Sequence, residues 1–524
     1  MTETTTQPTA MDEVSVAFWE EYLRQNPTSA TVYGDTRYDD LLPDPSRAGR
    51  IAGIETVRAA ADAALAIPDD SLSVEDRVTR GMLSLLADLA ERDEALGAHE
   101  IRAVDQIYGP QTLLPQVAVF QDADTPEGLE RWLDRLRAYG PFMDANIEIL
   151  HEARASGRTS ARIVAERTID QLKRLVDTPI DEAVIPTLSK VASDEDRERV
   201  REVVRDVVYP ADRRYLDALS GEYLAATREQ PGLVSAPDGD ALYRYCIERW
   251  TTLALEPRDV HQVGLDELAT IDDERRAISG RAGYGDDVDG YRAALVADPA
   301  NQPASVEELV KRADEDIERA AAIAPQVFGT LPRAGCIVKP VEPFKEKDAP
   351  FAYYYPPTID GTRPGTYYVN TYDLPSRTYH KLAATTFHEA IPGHHFQIAL
   401  EMENPDLNVF RRLGARLVAG AYLEGWGLYA ERLADELGLY RNDAERLGDA
   451  RRAGMASLAS HRRLRDARPR LVTAAVDRLA AQDRAIRDRR DHRDRPLHRV
   501  ARAGPHLHGG DARDPAAAHG ARGP

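Results

Sequence analysis

The chain has 524 residues, 43% of them hydrophobic and 30% charged, with a formal net charge of −21 and two cysteines. That length fits two or three ordinary domains or one large helical body. The negative balance argues against nucleic acid or an anionic membrane as partner, since both require a basic face. Cys246 and Cys336 are too few for a disulfide framework or a cysteine-type zinc site and read as free buried thiols.

In chain order, Met1 to Asp12 is polar and threonine-rich, without the basic and apolar regions of a secretory leader. Residues 1–14 are expected to be disordered. No run approaches the roughly 20 apolar residues of a membrane span, so a cytoplasmic protein is expected. From there to about residue 330 apolar residues recur at helical spacing, as in Val14, Phe18, Tyr22 and Leu23. Ser73-Val74-Glu75-Asp76 and Ser305-Val306-Glu307-Glu308 read as capping boxes, and Thr125-Pro126-Glu127 as a cap followed by proline in the first helical position. No internal repeat of fixed period is present.

The texture changes between about 334 and 375. Cys336-Ile337-Val338, Phe351 to Tyr355 and Tyr367 to Asn370 are short β-prone runs, the later two separated by Pro356-Pro357 and Asp360-Gly361. They predict a small hairpin or sheet. Helical patterning resumes from about Ser376 to Tyr440. The expected fold class is therefore mainly α: a large helical body over residues 15–455, with two lobes around a cleft and a small β element beside the motif described next.

From Arg451 onward the composition shifts abruptly to 18 arginines and 8 aspartates, with no lysine, glutamate or aromatic residue other than histidine. Such a segment cannot build much core. Residues 456–524 read as an aberrant basic tail from a shifted reading frame in a GC-rich gene, in preference to a nucleic-acid-binding arm. His506 and His508, though spaced like metal ligands, read as products of that composition.

The segment Phe387-His388-Glu389-Ala390-Ile391-Pro392-Gly393-His394-His395-Phe396-Gln397 resembles the His-Glu-x-x-His helix of zinc hydrolases with two residues added. On an unbroken helix His394 lies about 600° round from His388, on another face, and His395 about 10 Å further along the axis. Neither could share an ion with His388. Pro392 cannot donate to the carbonyl of His388, however, and Gly393 tolerates unusual backbone angles. A two-residue bulge there would restore the one-turn relation between His388 and His394. A third ligand is available from Tyr422-Leu423-Glu424-Gly425-Trp426-Gly427-Leu428-Tyr429-Ala430-Glu431. Glu424 is favoured, with Glu431, on the same face, as an alternative ligand or a partner that orients one. Gly425 and Gly427 suggest close packing, and Trp426 reads as core beneath the site.

His-Glu-Ala-Ile-Pro-Gly-His-His-Phe-Gln followed by Glu-Gly-Trp-Gly-Leu-Tyr-Ala-Glu is similar to the bacterial domain-of-unknown-function family 885. Asp105-Gln106-Ile107-Tyr108-Gly109-Pro110-Gln111, Tyr353-Tyr354-Tyr355-Pro356-Pro357 and Gly365-Thr366-Tyr367-Tyr368-Val369-Asn370-Thr371 match as well. The resemblance covers about residues 15–455. The family's later Asp-Thr-Gly-x-His and Arg-Tyr…Pro-Gly-Gln-Ala segments are not found. That family resembles the gluzincin metallopeptidases, which implies one zinc ion per chain held by His388, His394 and Glu424, with His394 preferred to His395. It implies peptide hydrolysis with Glu389 as general base towards a metal-activated water. Tyr355, Tyr368 and Asn370 are candidate donors to the oxyanion. His395 is expected beside a ligand or as an alternative one, and Gln397 as a residue that orients one. The expected substrate is a peptide or a small amide or ester. The alternatives are a hydrolase of a non-peptide amide or ester, or an inactive relative with a defective C-terminal segment.

Overall fold

The computed structural model describes residues 8–180, 190–191, 193–342, 346–347, 349–418 and 420–453. The basic tail predicted for 456–524, with His506 and His508, lies outside the described residues. At the other end the first helix, Ala10–Gln25, starts earlier than expected. Thr9 Oγ1 accepts from the Asp12 N–H at 3.1 Å, and the Asp12 carboxylate accepts from the Thr9 N–H at 2.9 Å. That reciprocal cap, Thr-x-x-Asp, makes residues 10–14 helical and not disordered.

The expected start signals act locally. Ser73 and Asp76 form a capping box at the start of Val74–Leu96. Thr125 caps the 31-residue helix Pro126–Ser156, with Pro126 first inside it. Ser305 caps Val306–Ile323 by accepting from the Glu308 N–H at 3.2 Å, while the Glu308 carboxylate accepts from Ala304, one residue before the cap.

These helices bury several cores. One is built on Trp132, Leu133, Leu136 and Tyr139 of Pro126–Ser156, packed by Arg162–Asp177 and Tyr209–Ala218. A second joins elements far apart in the chain: Phe18 of the first helix meets Phe410 of Val409–Gly414 edge-on, with ring centroids 5.2 Å apart. Arg135 stitches the two regions together. It is fully buried and donates to the carbonyls of Tyr38 and Leu41, to the Thr31 hydroxyl and to the Gln121 amide oxygen. This fixes the short helix Pro27–Tyr33 against the 120–121 loop.

The small β element is a three-stranded sheet of order β1-β3-β2, formed by β1 (Cys336–Pro340), β2 (Ala352–Tyr355) and β3 (Gly365–Val369). Central β3 runs parallel to β1 and antiparallel to β2, pairing Val338 with Tyr367 and Tyr353 with Tyr368. All five β3 residues are buried, as expected for a strand covered on both faces. Gly361, at φ +73°, turns the β2–β3 connection, a conformation that favours glycine. The Asp360 carboxylate fixes that turn by accepting from Thr358 and Thr362. Cys246 and Cys336 are free and half-buried, and no described helix is long and apolar enough to cross a membrane.

Asp212 illustrates the cost of this helical interior. It is buried and accepts from the Tyr139 hydroxyl at 2.8 Å. Burial raises its pKa to about 7, despite that hydrogen bond and the nearby Arg213. A carboxyl whose folded pKa lies above its unfolded value contributes its full stability below pH 3.8, and loses it as pH rises towards 7. Asp212→Asn keeps an acceptor for Tyr139. Its melting temperature is therefore expected to exceed that of the parent at pH 8, with the difference shrinking or reversing at pH 5.

Candidate metal centre

The helix Tyr379–Glu389 carries the first histidine and is buried continuously from Leu382. Phe387, fully buried, packs edge-on against Tyr440 with centroids 5.4 Å apart. The helical ladder ends where the Ala390 N–H reaches the Thr386 carbonyl at 2.9 Å. Ala390 then turns out of the helix at φ −109°, ψ −105°, and a new helix runs from His394 to Glu403. Two residues enforce the break. Pro392, joined to Ile391 by a cis peptide bond, has no N–H to continue the ladder. Gly393 lies so close to the His388 carbonyl that any Cβ there would collide with it. Trp426 Nε1 donates to the Pro392 carbonyl at 2.9 Å. Trp426, expected as buried core, is thus a half-buried brace for the interruption.

The break brings the two imidazoles together, with centroids 4.7 Å apart and planes at 86°. Glu424, on the helix Gly420–Glu436, completes the group. Its Oε2 lies 3.5 Å from His388 Nε2 and 3.9 Å from His394 Nε2. One ligand atom from each of the three residues lies within 4.8 Å of the others. Two ligand atoms about 2.1 Å from one ion at the tetrahedral angle stand roughly 3.4 Å apart, so the spacing fits a shared zinc ion. Two histidines with one carboxylate are also an established donor set for a catalytic zinc site.

Neighbouring residues hold this arrangement. Glu431 Oε1 lies 2.8 Å from His388 Nδ1, and the Glu431 side chain is almost fully buried. With a carboxylate as acceptor, Nδ1 carries the hydrogen and Nε2 faces the cluster, the usual setting of a metal-ligating histidine. Glu431 therefore orients His388 and is not part of the three-residue group. Gly427 is required by packing: a Cβ would sit 2.6 Å from Cε1 and Nε2 of His388. Gly425, expected to share that role, has nothing within 4 Å of where a Cβ would lie.

The electrostatics of the cluster centre on His388. Burial pulls the His388 pKa down, but its contacts with Glu424 and Glu431 and the Glu389 charge raise it to about 10. Burial and the His388 charge push His394 down to about 4. Contact with His388 holds Glu424 below the usual carboxylate range. A proton on His388 places positive charge beside these carboxylates, and any cation bound there would compete with it.

The other expected residues are placed differently. His395 turns away from the cluster. Its Nε2 lies 3.0 Å from the Ala334 carbonyl and its Nδ1 2.9 Å from the Tyr354 hydroxyl. Since Ala334 can only accept, Nε2 is the protonated nitrogen, and burial pushes the imidazole pKa down to about 4. His395 pins the sheet and belongs to no metal group. Asn370 is fully buried, and its amide donates to the carbonyls of Glu346, Ala349 and Pro350. It holds a loop in place, which removes it from the donor role expected of it. Tyr368 is buried in the sheet and stacks on Tyr353 at 5.0 Å. Gln397 is buried, and among the described residues its amide has no hydrogen-bond partner. Tyr355 lines a cleft of about 260 Å³ together with Tyr108.

Tyr108 was given no role in the sequence reading. It is 82% exposed on a tightly fixed loop. Asp105 Oδ1 accepts from the N–H groups of Ile107 and Tyr108, and the Ile107 carbonyl accepts from Thr112 and Gln116. Partial desolvation and then the charges of Asp105, Glu424 and Glu389 raise its pKa, so the phenol stands within electrostatic reach of the cluster. The sequence signal was turn chemistry: an aspartate three residues before an otherwise ordinary tyrosine, followed by Gly-Pro.

Fold and site together define a mainly helical protein whose two-histidine, one-glutamate group forms at a broken helix. The chain belongs to the bacterial family of unknown function DUF885, whose model matches residues 27–466. No curated protein matches it. Among solved structures it is similar to a "putative lipoprotein" from Colwellia psychrerythraea, at 24% identity and a TM-score of 0.76, covering 86% of this chain and 82% of that one. It is also similar to a "putative lipoprotein of unknown function" from Shewanella oneidensis, at 17% identity and a TM-score of 0.54, covering 84% and 81%. Both likenesses concern the fold alone.

Elemental analysis of the purified chain is expected to find one zinc ion per molecule, lost in His394→Ala and in Glu424→Gln. Glu431→Gln should weaken zinc binding roughly 10- to 100-fold without abolishing it. Gly427→Ala should weaken it too, by pushing the His388 ring out of line.

Proposed function

We propose that this protein is a zinc-dependent hydrolase of peptide bonds, related in its site to the gluzincin peptidases. The observation that carries the reading is the His388, His394 and Glu424 group, with Glu431 behind one histidine and buried Glu389 next to it in the chain. Zinc, when bound, would supply a Lewis acid that polarises the scissile carbonyl and lowers the pKa of water.

The protein's own residues supply the remainder. Glu389 accepts the proton of the attacking water and returns it to the leaving amine. Glu431 holds the His388 imidazole in the tautomer that keeps Nε2 towards the cluster. The phenols of Tyr108 and Tyr355 are protonated at neutral pH, as ordinary tyrosines are. They can donate to the oxygen that gains negative charge as the carbonyl carbon becomes tetrahedral. A cytoplasmic location is part of the proposal; the word lipoprotein belongs to the two structural neighbours.

Glu389→Gln is the direct test. The variant should keep its zinc and its melting temperature, and hydrolyse a peptide library roughly 10²- to 10⁴-fold more slowly than the parent. Hydrolysis at the parental rate would remove Glu389 as the base.

A further inference from the structure

Each histidine of the cluster has a ring nitrogen that faces away from it, and only one of the two is held. Glu431 holds Nδ1 of His388. His394 turns Nε2 towards Glu424, and its Nδ1 is buried without a hydrogen-bond partner among the described residues. A metal-ligating histidine ordinarily donates its other ring N–H to a carboxylate, a carbonyl or water.

Gln397 is the polar side chain placed to serve it. It follows His394 by three residues on the helix His394–Glu403, and each of the two is 8% exposed. Side chains three apart on a helix are neighbours, with Cβ atoms about 5–6 Å apart. Helical side chains also lean towards the N-terminus, which directs the Gln397 amide back towards His394. Nδ1 is bonded to Cγ, so it lies on the helix side of the imidazole while Nε2 reaches out to the cluster. The Gln397 N–H donates to the Gly393 carbonyl at 3.0 Å, which fixes the turn that carries both residues. Among the described residues neither Nε2 nor Oε1 of the Gln397 amide has a partner. A buried amide left unpaired is costly, and here it sits one turn from an unpaired imidazole nitrogen.

The adjacent histidine is engaged elsewhere, since His395 spends both ring nitrogens on Ala334 and Tyr354. Charge also favours an amide in this place. Glu389, Glu424 and Glu431 already act on His388, and a divalent cation would offset only two of those three charges. One turn beyond Gln397, burial raises the Glu401 pKa to about 7 despite Arg416 and Arg411. That flank of the helix therefore disfavours a carboxylate's charge, and a neutral amide supplies an acceptor without it.

We propose that Gln397 is the positioning residue of His394: when a cation holds Nε2, the Gln397 carbonyl oxygen accepts the Nδ1 hydrogen and fixes the ring. The terminal torsion of a glutamine is broad, so the amide turns without moving the backbone. The two histidines then have unequal supports, a carboxylate behind His388 and an amide behind His394. This deepens the hydrolase reading and rests on its metal site, not on its substrate. Stability and metal affinity should respond in opposite directions. Replacing the amide by an apolar group removes an unpaired buried polar group, yet leaves the His394 ring without its acceptor.

The test compares the full-length parent, Gln397→Met and Gln397→Glu by zinc affinity, from competition with a chromophoric chelator, and by melting temperature without metal. Gln397→Met should bind zinc roughly 10- to 100-fold more weakly and, without metal, melt at or above the parental temperature. Cobalt(II) in place of zinc should show an altered visible spectrum in that variant. Gln397→Glu keeps a carbonyl acceptor in either protonation state and should recover most of the affinity. Parental zinc affinity in Gln397→Met overturns the proposal, and so does Gln397→Glu binding no better than Gln397→Met. A melting temperature that falls in step with affinity overturns it too, because packing alone would do that. A parent that takes up neither zinc nor cobalt removes the metal site and this role together. Zinc binding that depends on Gln397, without peptide hydrolysis, supports this role and removes the peptidase reading alone.

Discussion

The site depends on a helix that cannot continue. Up to Glu389 the backbone is held by regular i to i−4 hydrogen bonds and by burial of one face after another. At Pro392 the next donor is missing, and at Gly393 the chain passes so near the His388 carbonyl that a side chain would not fit. The polypeptide restarts as a second helix from His394, with the two imidazoles facing each other at 4.7 Å. A standard motif reaches the same relation by a single helical turn. Here two extra residues are absorbed in a loop, and the geometry between the histidines is recovered without the helix between them.

Such a loop needs support from elsewhere, and the helix Gly420–Glu436 provides most of it. One helix contributes Glu424 to the cluster, Trp426 to the Pro392 carbonyl, Gly427 to make room for the His388 ring and Glu431 to orient it. The Tyr440 hydroxyl in turn donates to the Glu431 carbonyl at 3.1 Å. On the opposite side, His395 ties the second helix to the sheet through Tyr354 and Ala334, and Tyr367 lies 3.3 Å from Thr386 of the first. The break is therefore clamped from both flanks. The same clamping explains the electrostatics: acidic groups converge on one histidine and raise its pKa.

Much of this was legible in the chain. The Pro-Gly insertion announced its own loop, because the two residues least able to extend a helix sit where the second histidine would otherwise fall. Glu424 and Glu431 could be placed on one face because they are seven residues apart. Three other features were not legible. His395 carries the same chemistry as His394, and only the direction in which the second helix leaves the loop separates a cluster residue from a sheet anchor. Asn370 reads in the sequence as a candidate oxyanion donor, yet buried loop carbonyls that need donors claim it. Tyr108 and Tyr355, which line one cleft, lie on unrelated elements far apart in the chain, with no local pattern to connect them.

The sequence by itself determined the elements and the chemistry within them: helices from apolar spacing and caps, a small sheet from β-branched and aromatic runs, and a broken helix from Pro392 and Gly393. Those outcomes rest on local backbone sterics and short-range hydrogen bonds, which act over a few residues. Tertiary structure alone decided which of two adjacent histidines faces Glu424, which glycine is packed against a ring, and which tyrosines border the cleft. Those outcomes depend on how separate elements approach one another in space. That approach is set by the packing of buried surfaces across several hundred residues, such as Phe18 on Phe410 and Phe387 on Tyr440.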